Sequence, residues 1–172
     1  TTIKWCMQKD PRTLSLHDVR FLLTNLRDLA RTPKMQNKLA RLADKFRCIA
    51  SEPARNPRFW KEYLASEDWK LEYALQFELC DRCEFQIDGD KAVAAALCAF
   101  VHHGMLGRRP ENAIIAACHY GGDTDTVASM AGACIGALHG YEVLPARWIN
   151  HLENAHMGRD CAVDMARQLA HL

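Results

Sequence analysis

GGDTDTVASMAGACIGA, residues 121–137, lies at the centre of the fold that this sequence predicts. From Val127 onward most of its residues are Ala, Gly, Ser or Cys, and it contains no proline. Small side chains allow neighbouring helices to approach closely, because the distance between packed helices depends on the side chains at the contact. We therefore expect a helix here that packs in the middle of a helical bundle.

Helical periodicity continues on both sides of this stretch. Ser15 and Asp18 form a capping-box pattern that begins an amphipathic helix, which we expect to stop at Pro33. The next helix carries Leu39 and Leu42 and should end near Pro53. Further helices are predicted after Asn56-Pro57, over residues 67–83, over the wholly apolar run 92–101, after Pro110, after Pro145 and after Gly158. Because no segment alternates with the period of a strand, the predicted fold class is all-α.

Composition limits the functions that this chain can have. Its 172 residues are enough for one domain with a buried core, and the apolar fraction of 49% is ordinary for a globular protein. The net charge of +1 gives no sign of a nucleic-acid surface or of binding to an anionic membrane. No apolar run approaches the roughly 20 residues that span a bilayer.

The cysteines indicate the cellular compartment. Several of the eight, among them Cys98, Cys118 and Cys134, lie inside predicted helices and not in the short, turn-rich pattern of a disulfide scaffold. Thr1 begins a stretch without an initiator Met or a signal peptide, so we expect a chain that was trimmed or that begins within a domain. We expect reduced thiols and an intracellular protein of the cytoplasm, nucleus or mitochondrial matrix, not a secreted one.

Residues 121–126 carry the clearest chemical pattern. Asp123 and Asp125 flank Thr124 and precede Thr126, so two carboxylates and a hydroxyl within four residues supply oxygen ligands of the kind that Mg²⁺, Mn²⁺ or Ca²⁺ prefers. Gly121 and Gly122 before them permit a sharp turn with positive φ, which would aim the carboxylates into a cleft. The alternative is that Asp123 or Thr124 only caps the following helix, with a second acid in its first turn. Two acids cannot complete a six-coordinate shell alone.

A longer pattern begins at Tyr120: YGGDTDTVASMAGA, residues 120–133, is followed by Gly136-Ala137, Gly140, Val143-Leu144-Pro145 and Trp148. This pattern closely resembles the C-terminal signature of ADP-ribosylglycohydrolases. The resemblance implies an orthogonal all-α bundle in which residues 1–172 form the C-terminal part of a larger domain. It also implies a centre of two Mg²⁺ ions that hold the ribose hydroxyls of ADP-ribose while water cleaves the bond at the anomeric carbon.

Carried over by position, the resemblance makes Asp123, Asp125 and Thr126 metal ligands, with Asp125 bridging the two ions and Thr124 capping the helix. Ile87 falls where the family places an apolar residue near the bound ADP-ribose. His119 is close to the metal loop in sequence, and we expect it either to orient a metal ligand or to be an ordinary solvated residue.

The chain also departs from the family. It has no Thr-Asp-Asp trio, no glycine-rich diphosphate loop and no catalytic Glu in the family's context, and Cys83-Glu84-Phe85-Gln86 replaces a glycine-containing stretch. We therefore expect no catalytic residue in this chain, and a complementary N-terminal half or partner subunit that supplies the rest. The predicted function is Mg²⁺-dependent removal of ADP-ribose from a modified protein or a related conjugate. The alternatives are an inactive structural subunit of a larger assembly and a hydrolase of phosphate esters.

Other patterns have ordinary interpretations. We predict that Cys80 and Cys83 are ordinary cysteines of a helix. The alternative interpretation is that the pair forms a redox site or half of a zinc site. We expect His102 and His103 to lie at the end of the buried helix, either as caps or in solvent. His139 is expected to take part in packing. The aromatic residues Trp60, Tyr63, Trp69 and Tyr73 are predicted to lie in the core, or at an interface if part of the domain lies on another chain.

Overall fold

The computed structural model describes residues 2–51, 88–106 and 109–170, with the backbone alone over 45–51. All regular structure in these ranges is helical, which confirms the all-α prediction; the orthogonal crossing of the helices stays a prediction. The α-helices are α1 Thr2–Cys6, α2 Leu16–Leu29, α3 Pro33–Ser51, α4 Gly89–Ala99, α5 Asn112–His119, α6 Thr124–His139, α7 Ala146–His151 and α8 Arg159–Ala170.

Two compact units make up the chain, residues 1–140 and 141–172. In the first unit α2 packs against α3, and α4 packs against both α3 and α6. Helix α6 also contacts α1 and α5, so it lies at the centre of the described helices of this unit, as its small residues predicted. No helix in the described ranges has the length and apolar character needed to cross a bilayer.

Helix α2 begins at the capping box that its sequence predicted. The Ser15 hydroxyl accepts a hydrogen bond from the backbone N–H of Asp18, and the Asp18 carboxylate accepts one from the backbone N–H of Ser15 at 3.1 Å. Lys9 pairs with the same carboxylate at 2.8 Å. The bond from Lys9 contributes most to lowering the pKa of Asp18 to about 2, and bonds donated to the carboxylate by the Ser15 hydroxyl and the Ser15 N–H add to the shift. Behind the cap Val19, Leu22 and Leu23 are buried, so the cap fixes where the apolar side of α2 enters the core.

Helix α4 is buried almost all round, because Ala92 and the run from Ala94 to Ala99 lie in the core. The chain then continues as a π-helix over Phe100–Met105, with the N–H of Leu106 bonded to the carbonyl of Val101. The sequence pattern did not predict this wider helix. It also buries His102, at 7% exposure, so the expectation that this histidine lies in solvent is wrong.

Gly104 and His139 join the π-helix to α6. A Cβ atom at Gly104 would overlap the side chain of Ile135 and lie 2.8 Å from Cδ2 of Phe100, so any larger residue would have to displace these side chains. The His139 ring lies with Nε2 2.6 Å from the Gly104 carbonyl oxygen. Because a carbonyl only accepts, Nε2 carries the proton and donates it. His139 therefore packs as predicted and also satisfies a buried backbone carbonyl.

Five cysteines have described side chains: Cys6, Cys98, Cys118, Cys134 and Cys161. No disulfide joins any two of them. Burial raises the pKa of the Cys6 thiol to about 12 and that of Cys134 to about 11, and the nearby Cys134 adds to the shift at Cys6. These two thiols are therefore poor nucleophiles at neutral pH, since the thiolate is the reactive form. The predicted compartment stays a prediction.

The second unit, residues 141–172, contains α7 and α8, which begin after Pro145 and Gly158 as predicted. Asn154 and Asp160 exchange two hydrogen bonds: the Asn154 amide donates to the Asp160 carboxylate at 2.8 Å, and the Asp160 N–H donates back at 2.9 Å. Met157 takes a positive φ of 62° within this turn. A Cβ atom at Gly158 would lie 2.7 Å from the Asn154 Cα atom, so this turn requires a glycine.

The helices predicted after Asn56-Pro57 and over residues 67–83 lie outside the described residues. So do the Cys80 and Cys83 pair, the aromatic residues of 60–73 and the replaced glycine stretch at 83–86.

Candidate metal-binding turn

A two-glycine turn joins α5 to α6. Helix α5 ends at His119, and Tyr120 after it is buried, at 6% exposure. Gly121 and Gly122 then take φ angles of +78° and +70°, as the glycine pair predicted. No atom would obstruct a Cβ at Gly121, so the backbone angle and not the available space requires glycine there. The Gly122 carbonyl accepts a hydrogen bond from the N–H of Thr124 at 3.0 Å, which closes the turn.

Asp123 is the N-cap residue of α6, but its side chain makes no capping hydrogen bond. Thr124 is the first helical residue, so the prediction that Thr124 caps the helix is wrong. The alternative, in which Asp123 is the N-cap with a second acid in the first turn, is confirmed in position, but the capping hydrogen bond that normally accompanies it is absent. The Asp123 carboxyl group is therefore available for another contact.

That contact is with Asp125. Three hydrogen bonds lower the pKa of the Asp125 carboxyl: the largest effect comes from the Asp123 side chain, followed by the backbone N–H of Thr126 and that of Asp125 itself. The Thr126 N–H donates to Asp125 Oδ1 at 3.0 Å. Two neighbouring carboxyl groups repel each other when both are ionised, and a proton or a cation between them removes the repulsion. The turn thus brings two carboxyl groups into contact.

The three predicted metal ligands lie together on this turn and reach solvent. Asp125 and Thr126 are exposed, and Asp123 is partly exposed. Their oxygens are the donors that a hard divalent cation prefers, so the donor chemistry fits Mg²⁺ or Mn²⁺. The set is incomplete, however. Among the described residues no group of three or more His, Cys, Asp and Glu side chains is placed to hold a metal ion.

His119 does not form a three-residue metal-binding group with the two aspartates among the described residues. It is exposed, and its Nδ1 lies 2.7 Å from the Ile115 carbonyl oxygen one helical turn earlier. Nδ1 therefore donates, which leaves Nε2 as the acceptor of the neutral ring. Its predicted role beside the metal ligands stays a prediction. Ile87, predicted to lie near ADP-ribose, is outside the described residues.

The contact between Gly104 and His139 was not predicted, because the two residues lie far apart in the chain. An isolated glycine within an apolar helical run was the one available signal, since such a glycine often marks a close approach of two backbones.

Comparison with known proteins identifies the family of this chain. A family model described as ADP-ribosylglycohydrolase matches residues 3–172, essentially the whole chain. No curated protein and no solved structure matches the chain. The family match includes the glycine turn, the paired aspartates and the helix of small residues after them. The chain belongs to the ADP-ribosylglycohydrolase family.

Proposed function

We propose that this chain contributes one half of the Mg²⁺ site of an enzyme that hydrolyses an ADP-ribosyl linkage, removing ADP-ribose from a modified protein or a related conjugate. The observation that carries the proposal is the pairing of Asp123 and Asp125. An N-cap aspartate that leaves its cap and approaches a second carboxyl group loses stability unless positive charge binds between the two. Membership of the family gives the class of reaction.

In this proposal Asp123, Asp125 and Thr126 hold the cation through two carboxylates and one hydroxyl. When bound, the cation supplies positive charge that polarises the ribose and positions the reacting carbon. The chain's own contribution is orientation. The turn at Gly121 and Gly122 fixes where α6 begins, and the N–H of Thr126 restrains one oxygen of Asp125. The donor oxygens are therefore arranged before the cation arrives, which lowers the entropy cost of binding.

The remaining ligands and the catalytic acid come, in this proposal, from a complementary N-terminal half or a partner subunit. Three oxygen donors fill only part of the roughly octahedral shell of one Mg²⁺, and fewer places still in a two-ion centre. The chain alone should therefore bind a cation weakly and should not turn over substrate.

A second candidate function is a structural subunit that keeps the helical scaffold and has lost catalysis. The observation that favours it is that the described residues contain no complete metal-binding cluster. The missing Thr-Asp-Asp trio and the altered stretch at residues 83–86 point the same way.

Thermal unfolding of the chain together with its complementary half tests the first proposal. Mg²⁺ and ADP-ribose added together should raise the melting temperature, because both bind the folded state. Asp125→Asn should remove this rise, whereas Asp164→Asn should keep it, since Asp164 lies on α8 in an exposed ion pair with Arg167. A wild-type complex whose melting temperature does not change would refute the proposal.

Thermal unfolding of variants at the same two aspartates, in the absence of divalent cations, tests the structural-subunit alternative. If they are kept for a metal, the double variant Asp123→Asn with Asp125→Asn should melt at a higher temperature than wild type, because the repulsion between them is removed. If the chain is only a scaffold, the double variant should leave melting and assembly unchanged. Chelator-treated protein is needed, since bound Mg²⁺ would mask the repulsion.

A further inference from the structure

We draw no further inference here: the strongest candidate, the exposed face of α6 that runs from Thr126 through Ser129 to Ala133 beside the paired aspartates, carries nothing because no described part of the structure shows what covers it.

Discussion

The side chain of Asp123 interacts with that of Asp125 and not with the helix whose N-cap it occupies. A capping bond from an aspartate is worth about 1 kcal/mol to a helix, and α6 gives up that contribution at its own first turn. Helix α6 compensates through its contacts with α1, α4 and α5, which hold it in place whatever its cap does. The start of α6 therefore does not depend on a capping hydrogen bond from Asp123.

Gly104→Ala should destabilise the protein by about 1–3 kcal/mol, because the added methyl group overlaps Ile135 at a packed contact. Urea unfolding measures this change. The matched control is Gly136→Ala on α6, where a Cβ meets no atom within 4 Å. That substitution should stabilise by about 0.5–1 kcal/mol, since alanine favours a helix over glycine.

Removal of the obstructing atom should rescue the Gly104 variant. Ile135→Val deletes the Cδ1 atom that the new methyl group meets, so the double variant should recover part of the lost stability. If Gly104→Ala were as stable as wild type, the close contact between the π-helix and α6 would be wrong.

His139→Ala should cost about 1–3 kcal/mol, because it leaves the Gly104 carbonyl without its donor inside the π-helix. His151→Ala is a control with the same kind of bond, since His151 Nδ1 lies 2.6 Å from the Arg147 carbonyl but is exposed to water. Water can replace that donor, so the control should change stability by less than about 0.5 kcal/mol. Equal losses in the two variants would contradict the buried contact.

Local patterns predicted much of this fold, and contacts distant in sequence account for what they missed. Three features follow from residues that are neighbours in the sequence: the capping box at Ser15, the buried run of α4 and the turn at Gly121. Each lies where it was expected. The π-helix at Phe100–Met105 was not predicted, because the periodicity of its residues does not distinguish it from an α-helix, and it packs against α6, which is distant in the chain. At the candidate site the residue types predicted the donors, but whether Asp123 would cap the helix depended on geometry that no spacing specifies.

Asp18 should make the stability of the protein depend on pH in the acid range. Its pKa falls from an ordinary 3.8 to about 2 in the folded state. The carboxylate therefore stabilises the fold fully above pH 3.8, and this contribution is lost as the pH falls through 2. Asp18→Ala should cost about 1–2 kcal/mol at pH 7, since it removes both the capping box and the Lys9 contact.

The difference in unfolding free energy between wild type and Asp18→Ala, followed by urea titration from neutral to acid pH, checks this assignment. The difference should shrink as the pH falls through the range between the two pKa values. Asp28→Ala on the same helix is the control, because Asp28 pairs only with its exposed neighbour Arg27 among the described contacts. A difference that stayed constant with pH would show that Asp18 does not act through its charge.

Binding of Mn²⁺, followed by electron paramagnetic resonance as free Mn²⁺ is depleted, tests most directly whether Asp123 and Asp125 hold a divalent cation. The wild-type chain should bind Mn²⁺ saturably, with a dissociation constant on the order of 1 mM, as expected of a site with few carboxylate ligands. Asp125→Asn should weaken this binding by about tenfold or more, while Asp164→Asn should bind as wild type does. An Asp125→Asn chain that bound Mn²⁺ as tightly as wild type would contradict the assignment of this turn as a metal site.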